Sequence, residues 1–288
     1  MTLSNEWKEY EIIDASNGEK LESWAGIKLL RPDPQIIWNN GNLLKKYSNI
    51  NAHYHRSNKG GGYWENLKNT PATWKVHYKD LTFNIKQMGF KHTGLFPEQA
   101  ANWDFMIDKI KNCGKDVKVL NLFAYTGGAS VACLSAGASV VHVDSSRGMV
   151  DWAKENVKAS GLEDKPIRYL VDDVIKFVKR EIRRGNKYDA IIMDPPSYGR
   201  GSNGEVWDIE KDLFNLVELC SEILSDDPLF FIINSYTTGL SGEVMVNILK
   251  LVLGNKYSGS IYADEIGLPI KNSDLVLPCG IFARYEKK

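Results

Sequence analysis

Apolar and polar positions change rhythm near residue 98. Before it, apolar residues come in short runs at 10–13, 27–30 and 36–38, separated by the turn-forming sequences Asn17-Gly18, Pro32-Asp33-Pro34 and Asn39-Asn40-Gly41-Asn42. Runs of that length between such turns predict strands, so residues 1–72 read as a small N-terminal β-rich domain. Residues 57–62, SNKGGG, have the composition of a flexible connection and are the best candidate for a boundary. Residues 74–83 alternate apolar and polar positions around a break at Lys79-Asp80 and continue to 90. This predicts a β-hairpin over about 73–93, leading into a second domain that fills 73–288.

From about residue 98 the spacing becomes that of alternating helices and strands. A helix over 99–110 precedes buried strands at 117–123, 140–144, 167–171, 188–194 and 229–233. Helices at 128–135, 149–159, 174–183 and 209–224 fall between them. Repeated strand–helix units of this length predict an α/β fold, a Rossmann-like parallel sheet covered by helices on both faces. Ligands of such sheets bind beyond the carboxyl ends of the strands.

Those ends are where the chemistry gathers. The first predicted strand runs into Asn121-Leu122-Phe123-Ala124-Tyr125-Thr126-Gly127-Gly128, whose glycines let the backbone pass close to a ligand at a helix N-terminus. The second ends at Asp144, 17 residues past Gly127. An acid there can accept both hydroxyls of a ribose, which a dinucleotide and S-adenosylmethionine both carry. The third ends in Val171-Asp172-Asp173-Val174, where one carboxylate can receive an adenine amino group and the other can cap the next helix. The fourth ends in Asp194-Pro195-Pro196-Ser197-Tyr198. Two prolines stiffen that loop and remove its N–H donors, holding Asp194 toward a ligand, while Tyr198 can stack on a planar base. A proline-bounded turn with a capping aspartate would explain the prolines but not their coincidence with three other strand-end motifs.

NLFAYTGG, HVDSS, the VDD turn and DPPSYGRG, preceded by LFPEQAANW, resemble the large-subunit ribosomal-RNA methyltransferases of the RlmI/RlmK type, over about residues 75–288. The resemblance implies a class I S-adenosylmethionine-dependent methyltransferase acting on RNA, with S-adenosyl-L-methionine as cofactor. It implies cofactor contacts from Asn121, Phe123, Ala124, Tyr125, Thr126, Gly127, Asp144, Ser145, Asp173, Val174 and Asp194. Asp194, Pro195, Pro196 and Tyr198 would face the reacting base. One departure changes the expected target. Members that make 5-methylcytosine attack the base with a cysteine, whereas the strand after DPP here ends Ile233-Asn234-Ser235-Tyr236-Thr237-Thr238. A serine hydroxyl is a far weaker nucleophile than a thiolate, so a base nitrogen, which already has a lone pair, is the expected acceptor.

Composition narrows the setting. The 288 residues carry 36 basic and 36 acidic side chains, so overall charge makes no case for nucleic acid. Distribution makes one: residues 34–64 contain no Asp or Glu but hold Lys45, Lys46, Arg56 and Lys59 among Trp38, Tyr47, Tyr54, Tyr63 and Trp64. A second run holds Lys176, Lys179, Arg180, Arg183, Arg184 and Lys187 with Glu181 as its one acid. Basic groups interleaved with aromatics suit a phosphate backbone and stacked bases. Four scattered cysteines and the closely spaced His53 and His55 give neither a disulfide framework nor a metal-ligand spacing. The polar N-terminus and the absence of a long apolar run predict a cytoplasmic protein with no membrane span. Two other functions fit parts of the pattern. A nicotinamide-dependent oxidoreductase would use a similar cofactor fold but lacks GxGxxG here, and a non-catalytic RNA-binding protein has no need for Asp144 and Asp194.

Overall fold

A computed structural model describes residues 1–57, 61–201 and 204–288. The chain divides into two compact units, residues 2–100 with 267–279, and residues 101–266 with Met1 and 280–288. The break therefore falls elsewhere than the expected 72/73, and the hairpin expected to open the second domain lies in the first unit.

The first unit is β-rich. After a two-residue β1 (Thr2–Leu3), strands β2 (Tyr10–Ser16), β3 (Glu19–Trp24), β4 (Ile27–Pro32), β5 (Ala52–Arg56) and β6 (Gly62–Asn66) form one sheet in sequence order. A single-turn helix α1 (Leu43–Lys46) lies between β4 and β5. Asn17 and Gly18 both take positive φ, as do Ala25 and Gly26, the conformation of tight two-residue hairpin turns. The apolar run at 36–38 forms no strand; Trp38 instead donates its indole N–H to the Ala15 carbonyl at 3.0 Å. β5 and β6 pair across residues 57–62, so that stretch joins two strands of one sheet rather than two domains. Residues 58–60, Lys59 among them, lie outside the described residues. A hairpin, β7 (Trp74–Tyr78) with β8 (Leu81–Ile85), turns at Lys79-Asp80 as the alternation predicts.

In the second unit, α2 (Ala100–Asn112) leads into β9 (Lys118–Leu122), α3 (Gly128–Ser135), β10 (Ser139–Asp144), α4 (Arg147–Ala159), β11 (Ile167–Val171), α5 (Val174–Arg184) and β12 (Ala190–Met193). A small hairpin, β13 (Tyr198–Arg200) with β14 (Val206–Asp208), comes next. It is followed by α6 (Ile209–Glu222), β15 (Phe230–Ser235), α7 (Gly242–Leu253), β16 (Gly259–Pro269) and β17 (Val276–Lys287), with the end of β16 and the start of β17 belonging to the first unit. The sheet runs β16-β17-β15-β12-β9-β10-β11, with β17 antiparallel to β15 and the central strands parallel. Leu120, Leu122, Val141 and Val143 on one sheet face pack with α5, α6 and α7 in a single core. The alternate residues of β9 and β10 turn toward α3 and α4, where Asn121 and His142 meet Ser130. On α4, Val150, Ala153 and Val157 make the buried stripe. No helix among the described residues is long and apolar enough to cross a membrane.

Candidate active site

Register brings the four strand-end motifs to one sheet edge. Leu122 lies opposite Val143 on one side and Met193 on the other, and Asp144 lies opposite Val171. Phe123, Asp144, Asp172 and Asp194 therefore leave the sheet beside one another. From β9 the chain runs outward through β10 and β11, then crosses back to β12 and β15. The gap between β9 and β12 is thus the point of reversed strand order, where open α/β sheets hold their ligands.

The loop after β9 is held in an uncommon conformation. Phe123, Tyr125 and Gly127 have φ of 53°, 50° and 85°. A left-handed backbone at a bulky residue costs on the order of 1–3 kcal/mol and persists only where its surroundings enforce it. Asp144 supplies part of that enforcement: its Oδ2 accepts the Tyr125 backbone N–H and its Oδ1 the Ser146 N–H, both at 2.8 Å. Burial raises the Asp144 carboxyl above its ordinary value, and the two backbone donors pull it partly back. Gly127 cannot be replaced cheaply, since a Cβ would stand 2.9 Å from that of Ala153.

Buried polar groups stand behind this loop, of which the sequence reading named Asn121 but not Asn156, Ser130 or His142. Asn156, in the apolar stripe of α4, donates its amide to the Thr126 carbonyl at 2.9 Å. Asn121 donates to Ser130 Oγ at 2.9 Å, and that hydroxyl lies 3.0 Å from His142 Nδ1. Burial holds the His142 imidazole down at about 3, against a smaller opposing pull from the Tyr125 backbone. A lone asparagine within an apolar helix stripe was the available signal.

The loop after β12 is pinned from two sides. Trp207, on β14, donates its indole N–H to the Pro196 carbonyl at 2.7 Å and packs its ring 4.9 Å from that of Phe123. Ser197 Oγ lies 2.7 Å from Thr237 Oγ1, just past the end of β15. Loops after β9, β12 and β15 are thereby tied together, and Trp207 and Thr237 join the neighbourhood unforeseen. Tyr198 is 54% exposed, presenting its ring outward.

Several expected residues are differently placed. Asn121, Thr126 and Val174 are buried and face the protein interior, so they can offer a ligand only main-chain groups. Asp173 caps α5 by accepting the Lys176 N–H at 2.8 Å, and Asp172 pairs with Arg180. Pro195 is buried and Ser145 exposed. Pro196, expected to face the reacting base, has its carbonyl taken by Trp207. Burial pushes the thiols of Cys133, Cys220 and Cys279 upward, the reverse of what a nucleophilic cysteine needs.

The family model of S-adenosylmethionine-dependent methyltransferases matches residues 30–240. The chain belongs to that family. It is 30% identical over 183 residues to the ribosomal RNA large subunit methyltransferase K/L of Syntrophotalea carbinolica, covering 63% of this chain and 25% of that protein. With the K/L protein of Shewanella frigidimarina it shares 32% over 196 residues, 65% of this chain and 27% of the relative. The chain thus spans about a quarter of the length of these curated relatives. A solved SAM-dependent methyltransferase from Agrobacterium tumefaciens is 34% identical with a TM-score of 0.94, over 99% of this chain and 93% of its own. SMU.776, solved with SAH, shares the fold at 20% identity and a TM-score of 0.73, over 97% of this chain and 76% of that one. The methyltransferase's donor set fits its family's cofactor: a partly buried carboxylate at the second strand end suits a ribose diol, and the enforced β9 loop lies beside it. The nicotinamide-dependent reading falls with the family assignment.

Proposed function

We propose that this methyltransferase methylates an RNA base at nitrogen, with ribosomal RNA as the substrate class and the cytoplasm as the setting. The supporting observation is a stiff DPPSY loop fixed beside the β9 loop and Asp144, in a chain whose thiols at Cys133, Cys220 and Cys279 are pushed up by burial. The names of the K/L relatives, which act on ribosomal RNA, add to it. Bound S-adenosylmethionine supplies a methyl made electrophilic by a positive sulfonium. The chain's own groups then have three tasks. Asp144 holds the ribose and the β9 loop the methionine portion, while Asp173, with one oxygen on the helix cap, has the other for adenine. Asp194 orients the accepting nitrogen and takes its proton, and Tyr198 stacks on the base. Because the reaction is a displacement, alignment is the protein's main contribution.

Two variants test the acceptor. Asp194→Ala should bind S-adenosylmethionine within a few-fold of wild type while turnover on RNA falls by about 10²–10⁴, the usual effect of losing a positioned acid–base group. A chain with all four cysteines changed to serine should keep most of its turnover. A cysteine-free protein that folds but is inactive, beside an active Asp194→Ala, would replace the nitrogen target with a carbon one.

A further inference from the structure

Strand pairing in the first unit assembles four side chains that the sequence keeps apart. His53 and His55 are two residues apart on β5 and so share a face of the sheet. The antiparallel partner β6 sets Glu65 opposite His53, and Glu19 reaches the same cluster from the start of β3. His53 Nε2 lies 2.6 Å from Glu19 Oε1, and His55 Nε2 lies 2.7 Å from Glu65 Oε2. The imidazole centroids are 4.0 Å apart, and ligand atoms of His53, His55 and Glu65 all lie within 4.8 Å of one another.

The rings are held rather than loose. His53 is 7% exposed, and Tyr63 stacks on His55 at 5.1 Å between centroids. The hairpin must close tightly here, because a Cβ at Gly62 would stand 2.1 Å from the His55 carbonyl. One divalent ion would meet the imidazole nitrogens and carboxylates that strand pairing already gathers here.

We propose that His53, His55, Glu65 and Glu19 form a binding site for a divalent transition-metal ion, with Zn²⁺ the fitting one. Two imidazoles and two carboxylates match its borderline-soft preference and tetrahedral habit. Metal–ligand bonds of about 2.0–2.2 Å place tetrahedral ligand atoms about 3.4 Å apart. The half-exposed His55 and the exposed Glu65 have room to turn inward from the present spacing, while the 2.6 Å contact of His53 with Glu19 has to open. The site lies within the first unit, shares no residue with the expected cofactor contacts and does not depend on the proposed RNA chemistry.

Calorimetric titration of the untagged full chain with Zn²⁺ tests the site, alongside His55→Ala and Glu65→Gln, which alter side chains with solvent access. One ion should bind per wild-type chain, and each variant should weaken binding at least tenfold while its circular dichroism and S-adenosylmethionine affinity stay unchanged. Zn²⁺ should also raise the melting temperature of the wild type more than that of either variant. Absence of saturable binding in the wild type, or equal affinity in all three proteins, would overturn the assignment.

Discussion

Asp144 does two jobs with one carboxylate. It fixes Tyr125 in a left-handed backbone and also faces the end of the sheet where the ribose is proposed to lie. Each charge-assisted hydrogen bond contributes about 1.5–3 kcal/mol. Asp144→Ala should therefore lower S-adenosylmethionine affinity at least about tenfold, read by calorimetry on a variant whose circular dichroism is unchanged. Its raised carboxyl gives the effect a direction in pH. Ribose binding needs the ionised form, so affinity should decline on acidification sooner than an ordinary aspartate would allow. Asp144, Gly127 and the DPP loop were legible because special backbone conformations and strand-end acids use distinctive residues. Asn156, Ser130 and His142 were not, because a buried polar side chain gains meaning only from the partner that packing brings to it.

Among the elements, β9, β10 and β12 were legible because buried parallel strands are continuous apolar runs, and their helices because they carry clear stripes, whereas β11, expected to be buried, is an edge strand with no buried residue. The β13–β14 hairpin was not, being two three-residue strands anchored by one tryptophan. β3 was hidden for another reason: its sequence EKLESW places the fully buried Glu22 in the middle of the strand. Arg31 makes that possible by donating Nε–H and Nη2–H to the Glu22 oxygens at 2.6 and 2.8 Å, joined by the Tyr10 hydroxyl at 2.6 Å. Burial alone would raise the Glu22 carboxyl, but Arg31, then Lys20 and the hydrogen bonds, hold it at about 2 against an ordinary 4.5. A carboxyl lowered by folding stabilises the protein above its unfolded value. That contribution should be complete above about pH 4.5 and disappear as pH falls toward about 2. Arg31→Met removes the main partner of a buried carboxylate, leaving Lys20 at 3.6 Å and the Tyr10 hydroxyl, and should cost about 3–5 kcal/mol at pH 7. Burial would then raise the Glu22 carboxyl, so the variant's deficit should shrink on acidification. Urea titrations at neutral and acid pH check both the size and the sign.

Across the whole molecule, the two basic runs are more neutral than their composition suggests. Lys46 pairs with Asp14, Lys176 with Glu205, Arg180 with Asp172 and Arg184 with Glu181. Asp14, Glu205 and Asp172 lie outside the two runs, so a sequence window misses them, while Glu181, the one acid inside, pairs with Arg184 one helix turn on. Lys45, Arg56, Lys179 and Arg183 make no ion pair among the described residues and are the cations best able to meet phosphates. Replacing Lys45 and Arg56 with glutamine should weaken RNA binding and flatten its logarithmic salt dependence by about 0.7 per lost phosphate contact. Cofactor affinity should be unchanged, and filter binding at several salt concentrations reads the slope.

Methyl transfer to a base nitrogen of RNA, the proposed reaction, can be followed with S-adenosylmethionine carrying a deuterated methyl group. Ribosomal RNA lacking its modifications, incubated with the wild-type protein and digested to nucleosides, should yield by mass spectrometry one labelled nucleoside with the deuterated methyl on a base nitrogen. The Asp194→Ala protein should yield little of it. Label on a base carbon or on ribose, or RNA that stays unlabelled while the protein demonstrably binds the cofactor, would rule out transfer to a base nitrogen.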